Sequence, residues 1–112
     1  MEAILRHVDG PVDIAAAGTH EFWYTHPEKT PPVMVTLVGA QLETGTAGWC
    51  ELYLVRGQQY MRIQKDQLTA DYPFMSWTGQ VVLETGDQIK CRIRGLAAAD
   101  KAEWTVRGVY KW

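Results

Sequence analysis

The feature of this sequence that most restricts its fold is a two-residue alternation of apolar and polar side chains in two segments, which Val109 alone interrupts on the polar side. Residues 88–94 read Gln-Ile-Lys-Cys-Arg-Ile-Arg, and residues 104–112 alternate in the same way over a longer run. Successive side chains of a β-strand point to opposite faces, so each segment predicts a strand with one buried and one solvated face. Such strands need a second layer to cover the apolar side.

Turn signals recur along the chain at intervals of roughly 8–12 residues, which is typical of a β-sandwich or barrel. They include residues 9–11, 45–48, 56–57, 71–73 and 84–87. In the last of these, Gly86 supplies the positive φ of a tight hairpin after a strand at residues 80–84. We therefore predict an all-β fold with one domain over residues 1–112, a two-sheet antiparallel sandwich or jelly roll of about eight strands.

The remaining strands are predicted at residues 20–25, 33–41, 49–55 and 59–64. Within the second of these, Val33, Val35 and Leu37 share one face, whereas Met34 and Val38 share the other. Residues 2–8 form either an edge strand or an extended arm. Residues 65–71 allow one helical turn at most. Residues 96–101 contain good helix formers but are too few for a stable helix, so we predict a loop.

The composition excludes several classes of protein. The chain is 46% apolar and 21% charged, with a net charge of -2, which is too apolar and too weakly charged for a disordered protein. It lacks the near-continuous apolar stretch of about 18 residues that a membrane span needs. The balanced charge argues against a dedicated nucleic-acid binder. No signal-peptide pattern opens the sequence, so we expect no secretion by that route.

No residue pattern predicts an enzyme, a cofactor or a metal. Nucleophile motifs and phosphate-binding glycine loops are missing, and the carboxylates are scattered. Cys50 and Cys91 each lie in an apolar alternation, which predicts buried and unreactive thiols. The alternative is a disulfide bond between Cys50 and Cys91 that joins the two sheets. The missing signal peptide implies a reducing compartment, which disfavours such a bond.

The histidines allow one metal-binding hypothesis. His20 and His26 are six residues apart and would share a strand face, and Glu28 could add a carboxylate ligand. We favour the simpler interpretation, in which both are exposed strand or loop residues, because Pro27 interrupts the regular geometry. His7 has no partner apparent in the sequence.

Five tryptophans are the most suggestive side chains: Trp23, Trp49, Trp77, Trp104 and Trp112. Trp104 and Trp112 share an apolar alternation, which predicts a role in the core or in a subunit contact. Trp23 and Trp77 lie near interruptions of the predicted strands, where we expect exposure. Exposed indoles bind sugars or protein partners.

Basic side chains lie on the polar faces of the last two predicted strands. Arg92 and Arg94 lie on one of them and Arg107 on the other. They form the solvated side of a sheet, and if the two strands are adjacent they form a surface that could bind an acidic partner.

The C-terminal half resembles a family of small viral proteins. Residues 77–89 (WTGQVVLETGDQI) join a strand, a Gly-Asp turn and an alternating strand, and the chain ends in GVYKW. This resembles the closing half of jelly-roll proteins in tailed-phage virions, in particular the head decoration (cement) proteins. The block at residues 33–64 is similar in layout, and tumour-necrosis-factor-like jelly rolls share the Gly-Asp turn.

The resemblance implies a structural role without catalysis. Such proteins commonly form homotrimers on the outer head lattice and bind the major capsid protein, so we expect a virion location and neither a nucleic-acid nor a membrane partner. Residues 1–8 could form an extended arm on the coat surface. Truncation of these eight residues should then weaken attachment to the capsid more than it weakens folding. The candidate contact residues are Ala3, Ile4, Leu5, Trp23, Trp77, Arg92, Arg94, Arg107 and Trp112.

Three other functions remain open. A carbohydrate- or host-surface-binding sandwich of a tail or receptor-binding component needs two or more exposed, coplanar Trp or Tyr rings, so burial of Trp23, Trp49 and Trp77 would remove its basis. A tail or connector component could use the same fold. A small metal-dependent enzyme is the most remote of the three.

Overall fold

The computed structural model describes residues 2–44, 48–69 and 71–111 and consists of two four-stranded antiparallel sheets packed face to face. Sheet I has the strand order β1-β8-β3-β6, and sheet II has the order β2-β7-β4-β5. The eight strands are β1 (Glu2–Asp13), β2 (Gly18–Thr25), β3 (Val33–Thr44), β4 (Gly48–Arg56), β5 (Gln59–Leu68), β6 (Phe74–Leu83), β7 (Gln88–Leu96) and β8 (Lys101–Lys111). The predicted all-β sandwich of about eight strands is confirmed.

The strand pairing follows jelly-roll topology. β1 pairs with β8, β2 with β7, β3 with β6 and β4 with β5, so the chain is one long hairpin rolled into two sheets. Among the described strands, only β4 and β5 are neighbours both in sequence and in a sheet. Their connection at residues 57–58 confirms the predicted Arg56-Gly57 turn.

The Gly-Asp turn connects the two sheets instead of closing a hairpin. Gly86 has a φ of 87°, as predicted, and the Asp87 amide donates to the Glu84 carbonyl at 2.9 Å. The Asp87 carboxylate in turn accepts from the Glu84 amide at 2.9 Å. However, β6 belongs to sheet I and β7 to sheet II, so the predicted hairpin is wrong although its turn chemistry is present.

Several strands extend beyond their predicted limits. β1 continues through Gly10 and Pro11, and β6 begins at Phe74 and passes through Gly79. Irregular pairing absorbs these residues, between Asp9 and Val12 in β1 and opposite residues 35–37 in β6. β5 reaches Leu68, which removes the helical alternative there. Residues 97–100 form the predicted loop.

The core lies between the sheets and consists of every second side chain of the inner strands. Ile89, Cys91 and Ile93 are fully buried, as the alternation predicted. The largest fully buried apolar side chains are Leu52, Leu68, Leu83, Ile89, Ile93 and Trp104. None of the described segments is an apolar helix of bilayer-spanning length.

Cys50 and Cys91 are free, fully buried thiols within this core. Their sulfur atoms are 3.4 Å apart. Since β4 and β7 are neighbours in sheet II, the alternative of a bond between the two sheets is wrong. The hydrogen bond to Cys50, together with burial, raises the pKa of the Cys91 thiol well above its usual value. This environment disfavours the reactive thiolate.

Candidate functional site

The sandwich presents two outer faces of different chemistry. We call the outer side of sheet I the apolar face and the outer side of sheet II the cationic face. Ile4 and Arg107 lie on the apolar face, whereas Arg92 and Arg94 lie on the cationic face with Trp23. The arginines of β7 and β8 therefore do not form one surface, because the last two strands belong to different sheets.

The remaining predicted contact residues do not form a patch. Leu5 points into the core and is buried. Trp77 is half-buried and packs against the same core, so both leave the set of surface candidates. Ala3 is exposed near the start of β1. Trp112 lies outside the described residues.

One apolar row crosses all four strands of the apolar face. Strand register aligns Ile4, Val109, Met34 and Val82, one from each strand. Ile4 is 76% exposed and Val82 is 47% exposed. Exposed apolar groups in a continuous row are typical of a protein–protein contact surface. The sequence could not show this row, because its members come from distant parts of the chain.

The next row along this face places two arginines opposite each other. Arg6 of β1 pairs in register with Arg107 of β8. Neither forms an ion pair with an acidic side chain among the described residues. Like charges directly opposite in a sheet repel each other, so a carboxylate from a partner would stabilise this pair.

A shallow groove of about 370 Å³ lies beside the arginine pair. Its floor is a row of small residues, since Thr105, Gly39 and Ser76 are aligned on three neighbouring strands. Phe74, which is 58% exposed, and Val8 form apolar walls. The hydroxyl oxygen of Thr105 is buried there and makes no hydrogen bond to any described residue. The groove can accept a side chain from a partner.

The cationic face is organised around Lys90 of β7. Its ammonium group is 2.6 Å from Glu21 and 4.8 Å from the centre of the Trp23 ring. The rings of Tyr60 and Tyr53 are 5.1 and 5.9 Å away. Although Lys90 is almost completely buried, its charge is compensated by this carboxylate and by the faces of the rings.

Glu51 of β4 is the second buried charge on this face. Tyr53 donates its hydroxyl to this carboxylate at 2.7 Å. The guanidinium groups of Arg94 and Arg62 are 2.7 and 3.5 Å away. Burial by itself raises the pKa of Glu51, but the hydrogen bond from Tyr53 and the nearby positive charges outweigh it. The pKa of Glu51 therefore lies below its usual value of 4.5.

Acid is expected to destabilise the protein through Glu51. Since its pKa is lower in the folded state, its contribution to stability is complete above the unfolded-state value near 4.5 and is lost as the pH falls through the folded-state value. We expect Glu51→Gln to lower the melting temperature at neutral pH and to flatten its decrease in acid. Thermal unfolding between neutral pH and about pH 3 measures both.

The exposed Glu28→Gln serves as the matched control for this titration. The melting temperature of this variant should fall in acid as steeply as that of the wild-type protein. An equally steep acid dependence in Glu51→Gln and wild type would contradict the role given to Glu51.

His26 is buried, so the prediction of an exposed position is wrong for this residue. Only 1% of it is exposed. Its Nε2 donates to the Pro31 carbonyl at 2.8 Å, and its Nδ1 accepts from the Tyr24 hydroxyl at 3.4 Å. These bonds attach the loop after β2 to the core. No group of three or more metal-ligating side chains occurs among the described residues.

His7 has partners that the sequence analysis missed. Its Nε2 is 2.9 Å from the Asp9 carboxylate, which also accepts from the Trp104 indole at 2.7 Å. The His7 ring lies 5.1 Å from Tyr24 of sheet II, centre to centre. The spacing of two residues between His7 and Asp9 places both on one strand face and was the available signal. The arrangement links the two sheets at the β1 edge.

Comparison with known proteins gives structural likeness only. No protein-family model matches the sequence, and no curated protein matches it. The fold is similar to the nucleoplasmin-like N-terminal domain of Drosophila FKBP39, with 16% identity, coverage of 100% of this chain and 90% of that chain, and a TM-score of 0.46.

It is also similar to a chain of infectious bursal disease virus, Gx strain, with 13% identity and a TM-score of 0.45. This match covers 97% of this chain but only 32% of the viral chain. At identities and TM-scores this low, nothing known of either protein is carried over to this chain.

Proposed function

We propose that this protein is a non-enzymatic structural protein of a virion, specifically a head decoration (cement) protein of a tailed phage. It binds the major capsid protein through the apolar face, as a homotrimer, and stabilises the outer head lattice. The observation that best supports this proposal is the apolar row across all four strands of sheet I. The resemblance of the C-terminal half to decoration proteins supplies the identity of the partner.

The apolar face offers three complementary contacts to such a partner. The exposed row that includes Ile4 and Val82 buries apolar area on docking. The groove above Gly39 accepts one protruding side chain. The arginine pair of Arg6 and Arg107 binds an acidic group at the centre of the contact. Stabilisation then comes from a rigid domain that connects neighbouring coat subunits.

The direct test is binding to undecorated capsids. Purified protein should bind them saturably, and bound capsids should withstand more heat than undecorated ones. Light scattering should give the mass of a trimer for the protein in solution. Absence of saturable binding would contradict the proposed function.

Filling the groove is expected to weaken capsid binding without unfolding the protein. A Cβ atom at Gly39 would lie 3.5 Å from Thr105 Cγ2 and 3.8 Å from the Met75 carbonyl oxygen, which are ordinary contacts. Gly39→Leu should therefore fold with at least wild-type stability, because glycine costs a strand interior about 0.5–1 kcal/mol. We expect the affinity for capsids to fall by about tenfold or more.

Trp49→Ala on the cationic face is the matched control, since Trp49 is an exposed strand residue of the other sheet. It should bind capsids with wild-type affinity. Normal capsid binding by a folded Gly39→Leu variant would exclude the groove from the contact.

A second function is favoured by a separate observation. Trp23 and Trp49 are 36% and 42% exposed, and both lie on the cationic face. The carbohydrate- or host-surface-binding sandwich needs two or more exposed, coplanar rings, and of these requirements the pair supplies two exposed indoles on one face, whereas Trp77 is half-buried. A tail or receptor-binding component with this fold would bind its ligand through sheet II.

A further inference from the structure

We propose that the cationic face binds an acidic saccharide, a chain of sugar rings that carry carboxylate or sulfate groups. This inference rests on the second of the two functions above, carbohydrate binding, and names the class of sugar. It is independent of capsid binding, because the apolar face and the cationic face are on opposite sides of the sandwich.

The charge of the cationic face differs in sign from that of the whole protein. The chain contains 11 Lys and Arg and 13 Asp and Glu residues. Five of the cations but only two of the acidic residues lie on this face, which leaves six cations and eleven acidic residues elsewhere in the chain. These seven residues are Glu21, Glu51, Arg62, Lys65, Lys90, Arg92 and Arg94. The positive surplus attracts an anionic ligand to sheet II.

Each exposed indole of this face stands beside a cation. Lys65 Nζ lies 4.8 Å from the centre of the Trp49 ring, and Arg94 is the register partner of Trp49 on β7. Lys90 has the same relation to Trp23. A sugar ring stacks its C–H face on an indole, and beside Trp49 the exposed Arg94 can then bind an acidic group attached to that ring.

The cations around Glu51 are not saturated by it. Arg94, Arg62 and Lys65 surround a single carboxylate, so this cluster has two positive charges in excess. The side chains of Arg94 and Arg62 are 45% and 53% exposed, whereas that of Glu51 is 5% exposed. The two guanidinium groups are therefore the parts of this cluster that a ligand meets first.

The one exposed acidic group of the face favours a saccharide over a nucleic acid. The Glu51 carboxylate is buried and ion-paired with Arg94 at 2.7 Å, so a ligand cannot reach it. Glu21 is exposed beside Trp23. Sugar hydroxyls can donate hydrogen bonds to this exposed carboxylate, whereas a phosphodiester backbone has no donor.

The experiment compares one sugar chain in two charge states. Oligogalacturonate and its methyl ester have the same rings, but only the first is charged. Titration of the protein with each, followed by calorimetry and tryptophan fluorescence, should show the acid binding at least about tenfold more tightly than the ester. Its affinity should fall as salt is added, because Arg62 and Arg94 of this face are solvent-exposed.

Variants on both faces locate the site. Trp49→Ala should weaken binding of both forms of the sugar by about tenfold. Arg94→Gln should weaken binding of the acid and leave binding of the ester unchanged. Phe74→Ala, on the apolar face, should leave both affinities at the wild-type value and is the matched control.

The outcomes separate the inference from the function on which it rests. Equal affinity for acid and ester would overturn the acidic-saccharide inference but keep carbohydrate binding. Failure of both to bind at millimolar concentration would overturn both. Tighter binding of oligothymidylate or polyglutamate, unaffected by Trp49→Ala, would show a general polyanion surface and would overturn the inference.

Discussion

Replacing Ile93 with aspartate is expected to unfold the protein. Ile93 is fully buried at the centre of β7, between β2 and β4 of sheet II. A carboxylate there has no partner with which to compensate its desolvation, and the cavity left by the lost side chain adds to the cost. We expect a loss of more than about 4 kcal/mol in the free energy of unfolding, which is enough to unfold a domain of ordinary stability.

Far-ultraviolet circular dichroism and a denaturant titration measure this effect. Thr78→Asp is the control, because Thr78 lies exposed on the outer side of β6 and receives the same charge. It should change the free energy of unfolding by no more than about 0.5 kcal/mol. A cooperative melting curve near that of the wild type for Ile93→Asp would mean that β7 faces the opposite way.

Removal of residues 1–8 is expected to damage folding as well as attachment. In the structure residues 2–8 are not an arm, because β1 is hydrogen-bonded to β8 as the edge strand of sheet I. The truncation deletes Leu5 from the core, and truncating one buried leucine alone costs about 2–5 kcal/mol. It also removes His7 from its contact with Tyr24. We therefore no longer expect the truncation to weaken attachment more than folding, but to impair both.

Chemical denaturation followed by tryptophan fluorescence tests this expectation. Ile4→Ser is the matched variant on the same strand, since Ile4 points outward. It should keep the free energy of unfolding within about 1 kcal/mol of the wild-type value while capsid binding falls. If the truncated chain is as stable as the full chain, β1 does not pair with β8 as described.

Local patterns explain why much of the fold was predictable. Alternation over residues 88–94 assigns Ile93 to the core because the side-chain period of a strand is a local property. The Arg56-Gly57 turn joins strands that do pair, so its prediction needed nothing from the rest of the chain. The Gly86 turn shows the limit, because turn chemistry does not determine which sheet the next strand joins.

A bulge in β3 caused an error in the prediction of which side chains of that strand face the core. Strict alternation places Val33, Val35 and Leu37 on one side of β3. The register instead shifts between Val35 and Leu37, so Val38 is buried and Leu37 turns outward. An extra residue in one strand reverses the faces beyond it. Nothing in the residues themselves marks that position.

The candidate site was less predictable than the core for a related reason. Trp23 and Arg94 were identified as contact candidates from their residue types, and the structure places both on the cationic face. Glu51 and Lys90 were not, because their importance comes from burial beside groups on neighbouring strands. The groove above Gly39 arises from three small residues that only the register aligns.

The pairing of β1 with β8 has a consequence for biosynthesis. β1 has no sheet partner until β8, which lies about 100 residues later in the chain, has left the ribosome. The nascent chain therefore carries β1 unpaired until β8 has been made, and open strand edges promote aggregation. Sheet I can close only after translation has passed Lys111, so chaperone dependence during expression should decrease once β8 is complete.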